Sequence, residues 1–226
     1  MIPDATTVYD YDKHGKKYIS HRCTDPRIAT QLYVKLRDAK TILNVGAGAG
    51  SYEPEDKYVV AVEPSQVMRA QRIGKVPAIN AIAEALPFDD NAFDASMAIL
   101  TVHHWNDKAK GLKEMRRVTK GPVVIFTFDP FFISKFWLYD YVPQIVETDR
   151  KRFPPIEFYK ECLGGKFEVE PIRVPMDCVD GFQEAFYARP EAFLDESVRR
   201  SQSAWDFLPV GVEAEAVEKL KADLES

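Results

Sequence analysis

The stretch Thr41-Ile42-Leu43-Asn44-Val45, followed by Gly46-Ala47-Gly48-Ala49-Gly50, decides the fold. The first five residues read as a short buried strand, and the alternating glycines that follow give a loop almost free of side chains. Such a loop lets backbone approach a ligand closely. In open α/β sheets that approach happens at the carboxyl ends of the strands. A dinucleotide fingerprint would place its third glycine at position 51, where this chain has Ser51. The spacing therefore disfavours a nicotinamide cofactor.

Working outward, Asp25-Pro26 reads as an N-cap and a first-turn proline, with Ile28, Leu32 and Leu36 recurring at helical spacing behind them. Tyr58 to Val62 reads as a second strand that ends at Glu63-Pro64, and Ser65 caps a helix running to about Ile73, closed by Gly74. Val76 to Asn80 reads as a third strand and Asp94 to Leu100 as a fourth. Asn106 or Asp107 then caps a helix carrying Ala109, Leu112 and Met115, and Val123 to Phe128 is a fifth, buried strand. Alternation of this kind predicts parallel pairing with crossover helices. Only ten residues, Ala47 to Asp56, join the first two strands, so the first crossover helix is a single turn or absent.

Beyond Asp129 the rhythm changes. Phe131 to Tyr141 is dense in aromatics and reads as an inserted helix or lid. Ile156 to Leu163 is a helix closed by Gly164-Gly165, and Lys166 to Val174 alternates like a sixth strand. The remainder reads as helical, with Pro190 at a helix start and Val212 to Leu224 as a last amphipathic helix. The expected fold is α/β: a doubly wound, Rossmann-like, mainly parallel sheet of six or seven strands with helices on both faces, plus a helical lid and a C-terminal helical extension. One domain over 1–226 is expected, with its core at about 24–128 and 156–175, a lid at 129–155 and a helical segment at 181–226.

A net charge of -5 over 226 residues argues against a nucleic-acid partner, since phosphate binding needs a basic footprint. The basic residues between Lys13 and Arg22 are flanked by Asp10, Asp12 and Asp25 and read as a mixed solvated face. Cys23, Cys162 and Cys178 have neither a pairing framework nor a metal spacing, and Cys178 reads as a buried thiol. No metal site is expected. The first twenty residues hold no signal-like apolar stretch, and no run approaches ~18 apolar residues, so a cytoplasmic protein without a membrane partner is expected.

Glu63 closes the second strand, where a carboxylate can accept two hydrogen bonds from the hydroxyls of an adenosyl ribose. Taken singly, the glycines fit a plain tight turn and Glu63 a surface acid before a proline. Together, at neighbouring strand ends, they favour a nucleotide site.

At this point the sequence resembles the class I S-adenosylmethionine (SAM)-dependent methyltransferases, in particular the type 11 group, over about residues 18 to 128. Four blocks carry the resemblance: Ile42-Leu43-Asn44-Val45-Gly46-Ala47-Gly48-Ala49-Gly50; Val60-Ala61-Val62-Glu63-Pro64-Ser65; Ala83-Glu84-Ala85-Leu86-Pro87-Phe88 with Phe93-Asp94; and Val102-His103-His104-Trp105 with Glu114-Met115-Arg116-Arg117-Val118. The resemblance implies SAM as cofactor and methyl transfer to a small-molecule acceptor. It places Asn44, Gly46, Ala47, Gly48, Glu63, Pro64, Met68, Ile82, Ala83, Glu84, Ala98 and Ile99 around the cofactor, and lets Tyr18 and Arg22 close over its amino-acid end, with Arg22 on the carboxylate. Asn44 stands where the family usually has an acid, and Ile82 where many members have an aspartate for the adenine amino group. Adenine recognition then falls to the backbone of Ala83 and Glu84. No seventh strand is visible.

Methyl transfer is an in-line displacement at an activated carbon, for which alignment and exclusion of water matter most. One of His103 and His104, after the fourth strand, is a candidate general base; the bland reading is that they start the next helix with Trp105 packed beneath. Phe131, Phe132, Phe136, Trp137, Tyr139 and Tyr141 would suit an apolar or planar acceptor under the lid, or form the lid's own core. Two further readings stand beside the enzyme: a SAM-binding protein without catalysis, and a nicotinamide-dependent oxidoreductase. The acceptor atom and the oligomeric state are not written in the sequence.

Overall fold

Thr41–Val45 (β1), Tyr58–Val62 (β2), Ala95–Ile99 (β3) and Val123–Phe126 (β4) form one parallel sheet in the order β2-β1-β3-β4. The structure, a computed structural model, describes residues 9–15 and 21–226. Helices α1 (Tyr11–His14), α2 (Pro26–Leu36), α3 (Gln66–Ala70), α4 (Lys108–Arg117), α5 (Pro130–Ile133), α6 (Pro143–Arg152), α7 (Ile156–Leu163), α8 (Glu196–Arg200) and α9 (Val212–Glu225) surround it. The expected caps form. Asp25 accepts from the N–H of Arg27 at 2.9 Å with Pro26 in the first turn, Ser65 accepts from Met68 at 3.1 Å, and Asp107 rather than Asn106 caps α4 through the N–H of Lys110.

Period-two alternation sends opposite faces of the sheet to separate apolar clusters. Ile42, Met97 and Phe126 pack with Ile28, Leu32 and Leu36 of α2. Leu43, Val45 and Ala98 pack on the other face with Leu112 and Met115 of α4 and Tyr159 of α7. A helix on each face is the Rossmann-like arrangement.

Six or seven strands are expected from sequence, but the described residues hold four. The segment 76–80 meets β2 at a single bridge, where the Ile79 N–H donates to Ala61 O at 2.8 Å and the Glu63 N–H donates to Ile79 O at 3.0 Å. Pro77, lacking an N–H, cannot extend that ladder. The segment 166–174 forms no strand. Gln31 of α2 takes both backbone groups of Arg173, accepting from its N–H at 2.9 Å and donating to its carbonyl at 3.1 Å. A side chain thus does at Arg173 what a neighbouring strand would have done, while Pro171 interrupts the segment and Pro175 follows it. Between β1 and β2 there is no helix, as the short spacing predicts; Tyr52, fully buried, fills the space and donates to Asp180 Oδ2 at 2.8 Å.

The segments expected as a lid and as a C-terminal extension are packed on each other. Leu138, Val142 and Ile145 share an apolar cluster with Phe193, Trp205 and Leu220. Phe136, Trp137 and Tyr141 lean on that cluster, whereas Phe131 and Phe132 are exposed, with Lys135 above their rings. The aromatic run is therefore no single helix but α5 followed by a 3-10 turn at Trp137–Asp140.

Because β2 and β3 flank β1 on opposite sides, the winding reverses between β1 and β3. That reversal is where an open α/β sheet offers a crevice at its carboxyl ends.

Candidate functional site

Gly46 sits at that crevice with φ +68°, and a Cβ placed on it would lie 2.1 Å from Thr101 Oγ1, just past β3. Only glycine fits, for its backbone angle and for this contact together. Leu100, beside Thr101, also holds a positive φ of 49°. A bulky residue there is strained, as residues at functional sites often are.

The loop is tied to the strand tips rather than left open. The N–H groups of Gly46 and Ala47 both donate to Val62 O at 2.9 Å, and the Gly48 N–H donates to Glu63 Oε2 at 2.9 Å. Glu63 Oε1 accepts from the Ser65 N–H at 2.9 Å. Each carboxylate oxygen keeps a lone pair for a further donor. Glu63 is 7% exposed, and burial pushes its pKa above the usual carboxylate range while the two N–H donors pull it down. Behind the loop, Asn44 donates through Nδ2 to Glu53 Oε1 at 3.0 Å, and Glu53 pairs with Arg72 at 2.9 Å out of contact with water. Asn44 Oδ1 is buried with no partner.

These residues open onto a cavity of about 610 Å³, within the roughly 300–1,000 Å³ usual for ligand sites. Of the residues expected at the cofactor, Arg22, Asn44, Gly46, Ala47, Gly48, Glu63, Pro64, Met68, Ile82, Ala83, Glu84 and Ile99 line it. Ala98 does not: it is fully buried on the α4 side of the sheet. Tyr18 lies outside the described residues. Arg22 reaches the wall with its guanidinium on Asp180, Nε to Oδ1 at 2.7 Å. Glu84 accepts from the Asp107 N–H at 2.9 Å and so joins the Ala83-Glu84 turn to the start of α4.

The sequence gives no hint of the roof. Residues Tyr9 to Lys13 line the same cavity, although the nearby charges read as a solvated face. Asp12 accepts from Ser65 Oγ at 2.6 Å and from the Val67 N–H at 3.1 Å, which fixes α1 over α3. Thr101 was findable, since it follows a strand at the reversal point. No local pattern marks Tyr9 or Tyr11.

His103 and His104 end up ring against ring, centroids 3.9 Å apart, with His103 stacked on Phe153 and Trp105 buried among Leu112 and Met115. His104 joins α1 to α6: Arg152 Nη2 lies 2.9 Å from its Nδ1, and Tyr11 Oη 2.8 Å from its Nε2. A guanidinium only donates, so Nδ1 carries no proton and Nε2–H points at Tyr11. Burial, with Arg152, Lys108 and Arg22 nearby, depresses the pKa of His104 well below its ordinary 6.5. We expect nitrogen-15 spectra to show the Nε2–H tautomer of His104 unchanged from neutral pH down through 6.5. An imidazolium signal in that range would contradict the assignment.

A second, smaller chamber of about 50 Å³ adjoins the first, sharing Tyr11, Arg22, Leu100 and His104 with it. Asp149 of α6, Phe153, Gln183, Glu184 and the stretch Ser201 to Ala204 close it. The aromatic run 131–141 contributes none of its wall. Among the described residues no group of His, Cys, Asp or Glu side chains is arranged to hold a metal, and no helix is long and apolar enough to cross a membrane.

Comparison with known proteins agrees with this geometry. The family described as a methyltransferase domain matches residues 43–126. The ubiquinone/menaquinone biosynthesis C-methyltransferase UbiE of Pasteurella multocida is 28% identical over 137 residues, half of this chain and 51% of that protein. The uncharacterized protein YafE of Escherichia coli is 36% identical over 56 residues, 25% of this chain and 27% of that protein. The chain thus spans about half, or less, of the length of these curated relatives. A SAM-dependent methyltransferase structure from Thermotoga maritima shares the fold at a TM-score of 0.54 and 22% identity, over 68% of this chain and 77% of that one. A structure from Anabaena variabilis ATCC 29413, assigned to the methyltransferases of an antibiotic biosynthesis pathway, aligns at a TM-score of 0.83 with 32% identity, over 91% of this chain and 88% of that one. Likeness in sequence and fold over nine-tenths of its length places this chain in the family of class I SAM-dependent methyltransferases.

Proposed function

We propose that the chain transfers the methyl group of SAM to a small-molecule acceptor, acting as one domain, with the larger cavity as its donor site. The carrying observation is the Glu63 carboxylate, locked between the N–H groups of Gly48 and Ser65 with lone pairs left over beside the glycine loop. Those lone pairs suit the two ribose hydroxyls. Asn44 Oδ1, a buried acceptor without a partner, suits the donor's ammonium group, and the side-chain-free face at Gly46 leaves room for the methionine portion. Ile82 and Met68 give the adenine an apolar berth. These features fit the cofactor.

SAM supplies a methyl group on a sulfonium, a leaving group that needs no further activation. What the chain contributes is alignment and exclusion of water, which together can lower a barrier by roughly 7–11 kcal/mol. Tyr9 to Lys13 roof the site, and His104, bridging Tyr11 and Arg152, ties that roof to α6. With one nitrogen protonated and the other taken by Arg152, His104 is a positioning residue rather than a base. The nicotinamide reading has no support in the family found, and Ser51 at the missing glycine agrees.

Calorimetry with SAM, followed by transfer of labelled methyl groups to panels of small acceptors, tests the proposal. Binding without transfer to any acceptor would favour the non-catalytic SAM-binding reading. Failure to bind SAM would end both.

A further inference from the structure

The family match stops at Phe126, so nothing in it speaks for the smaller chamber, whose far wall comes from residues 149–153, 182–184 and 201–204. Its surroundings are largely polar, with Asp149, Arg152 and Gln183 buried and Glu184 half-buried. Arg22 is engaged by Asp180 at 2.7 Å. Arg152, fully buried, pairs with Asp149 at 3.3 Å and also donates to Ser203 Oγ and His104 Nδ1. Gln183 donates to the other oxygen of Asp149 at 3.3 Å. The cations on the wall thus each have a carboxylate, and His104 is neutral. Glu184 is the carboxyl left over: no described side chain gives it a hydrogen bond or an ion pair, and only its own backbone N–H and the more distant Arg22 favour its charge. His103, 9% exposed, adds an Nδ1 with no partner. Phe128, Phe153 and Phe182 supply rings.

A half-buried carboxyl on the chamber wall that lacks a counter-charge gains when a ligand covers it and brings the cation. The ring faces attract a cation too. With room for about three to five water-sized groups, the chamber of about 50 Å³ takes a head group and not a whole substrate. Because it shares Tyr11, Arg22, Leu100 and His104 with the donor cavity, a molecule anchored in it extends toward the donor.

We propose that this chamber is the acceptor subsite and that Glu184 anchors a protonatable nitrogen of the acceptor, an aliphatic amine, imidazole or guanidine held as its cation. The inference rests on the donor-site reading of the adjoining cavity. Desolvation at the chamber wall and the neighbouring Asp149 push the Glu184 pKa up to about 8, and an arriving cation favours its ionised form. Tyr11, Arg22, Asp149, His103 and His104 on the chamber wall, with Arg152 beside it, are the other charged or titratable groups; the two arginines are paired as above, Tyr11 meets His104, and burial holds the pKa of both imidazoles well below 6.5.

The test uses the full chain saturated with S-adenosylhomocysteine and two probes of one shape, benzylamine and benzyl alcohol, titrated calorimetrically at pH near 7 in buffers of different ionisation enthalpy. Benzylamine should bind about tenfold or more tightly than the alcohol and its binding should release protons, that of the alcohol none. Glu184→Gln should erase the preference while leaving the affinity for S-adenosylhomocysteine within about twofold, since Glu184 does not line the donor cavity. Equal binding of the two probes, amine binding without proton release, or a preference that survives Glu184→Gln would overturn the proposal. The wild-type measurements decide it even if the variant does not fold. If S-adenosylhomocysteine itself does not bind, the donor-site reading has failed; if it binds and the probes are not distinguished, only the acceptor inference falls.

Discussion

Glu63→Gln should weaken SAM binding about 100-fold or more, because hydrogen bonds to a charged group are worth about 1.5–3 kcal/mol each and two are expected from the ribose. The amide cannot replace the carboxylate. Both Glu63 oxygens already accept from backbone N–H groups, of Gly48 and Ser65, so one of them would face the new NH2 with donor against donor. The loop should loosen and the free protein melt earlier as well. The pH dependence has a definite sign. Burial raises the Glu63 pKa in the empty site, and ribose donors favour the ionised form, so affinity is full above that raised pKa and falls as pH drops through it. Calorimetry across the acidic range reads both effects. A Glu63→Gln protein that binds SAM like the wild type would remove the carboxylate from the site.

Gly46→Ala should cost about 2–5 kcal/mol of folding stability, combining left-handed backbone strain of about 1–2 kcal/mol with overpacking of about 1–3 kcal/mol. The contact is a Cβ 2.1 Å from Thr101 Oγ1, at the junction between the ends of β1 and β3. Relief must come from moving one strand end away from the other, which also reshapes the donor site, so SAM affinity should fall with stability. Gly74→Ala separates the two contributions. Gly74 has nearly the same φ, +73°, but nothing lies within 4 Å of the added Cβ, so only the backbone strain of about 1–2 kcal/mol remains. Denaturant unfolding of the two variants side by side checks this. Equal losses would show that the Thr101 contact is easily relieved.

The larger cavity and the smaller chamber differ in how they are made. Loops at successive strand ends build most of the wall of the first, so residues such as Gly46, Glu63 and Glu84 carry signals that survive in a local reading. The second needs side chains from α6, from the turn at 183–186 and from residues 201–204, brought together by the cluster of Leu138, Ile145, Phe193 and Trp205. Asp149 and Glu184 look like surface acids in the sequence, because nothing within several residues of either betrays that it will be enclosed.

Sequence by itself determined the elements whose causes are local. Caps at Asp25, Ser65 and Asp107, the apolar runs of β1 to β4, the glycine loop and the acid after β2 follow from hydrogen-bonding chemistry and periodicity within a few residues. Tertiary structure alone decided where those causes were overruled. Alternation over Lys166 to Val174 did not make a strand: Pro171 breaks it, and Gln31, far away in the chain, takes both backbone groups of Arg173. Charges near the N-terminus became a roof because Asp12 found Ser65 and the amide of Val67. Glu184 was left half-buried without a protein counter-charge because the nearby cations, Arg22 and Arg152, were already matched by other acids. Satisfaction of buried polar groups is a property of the whole packed molecule, and a linear reading cannot see which partner arrives first.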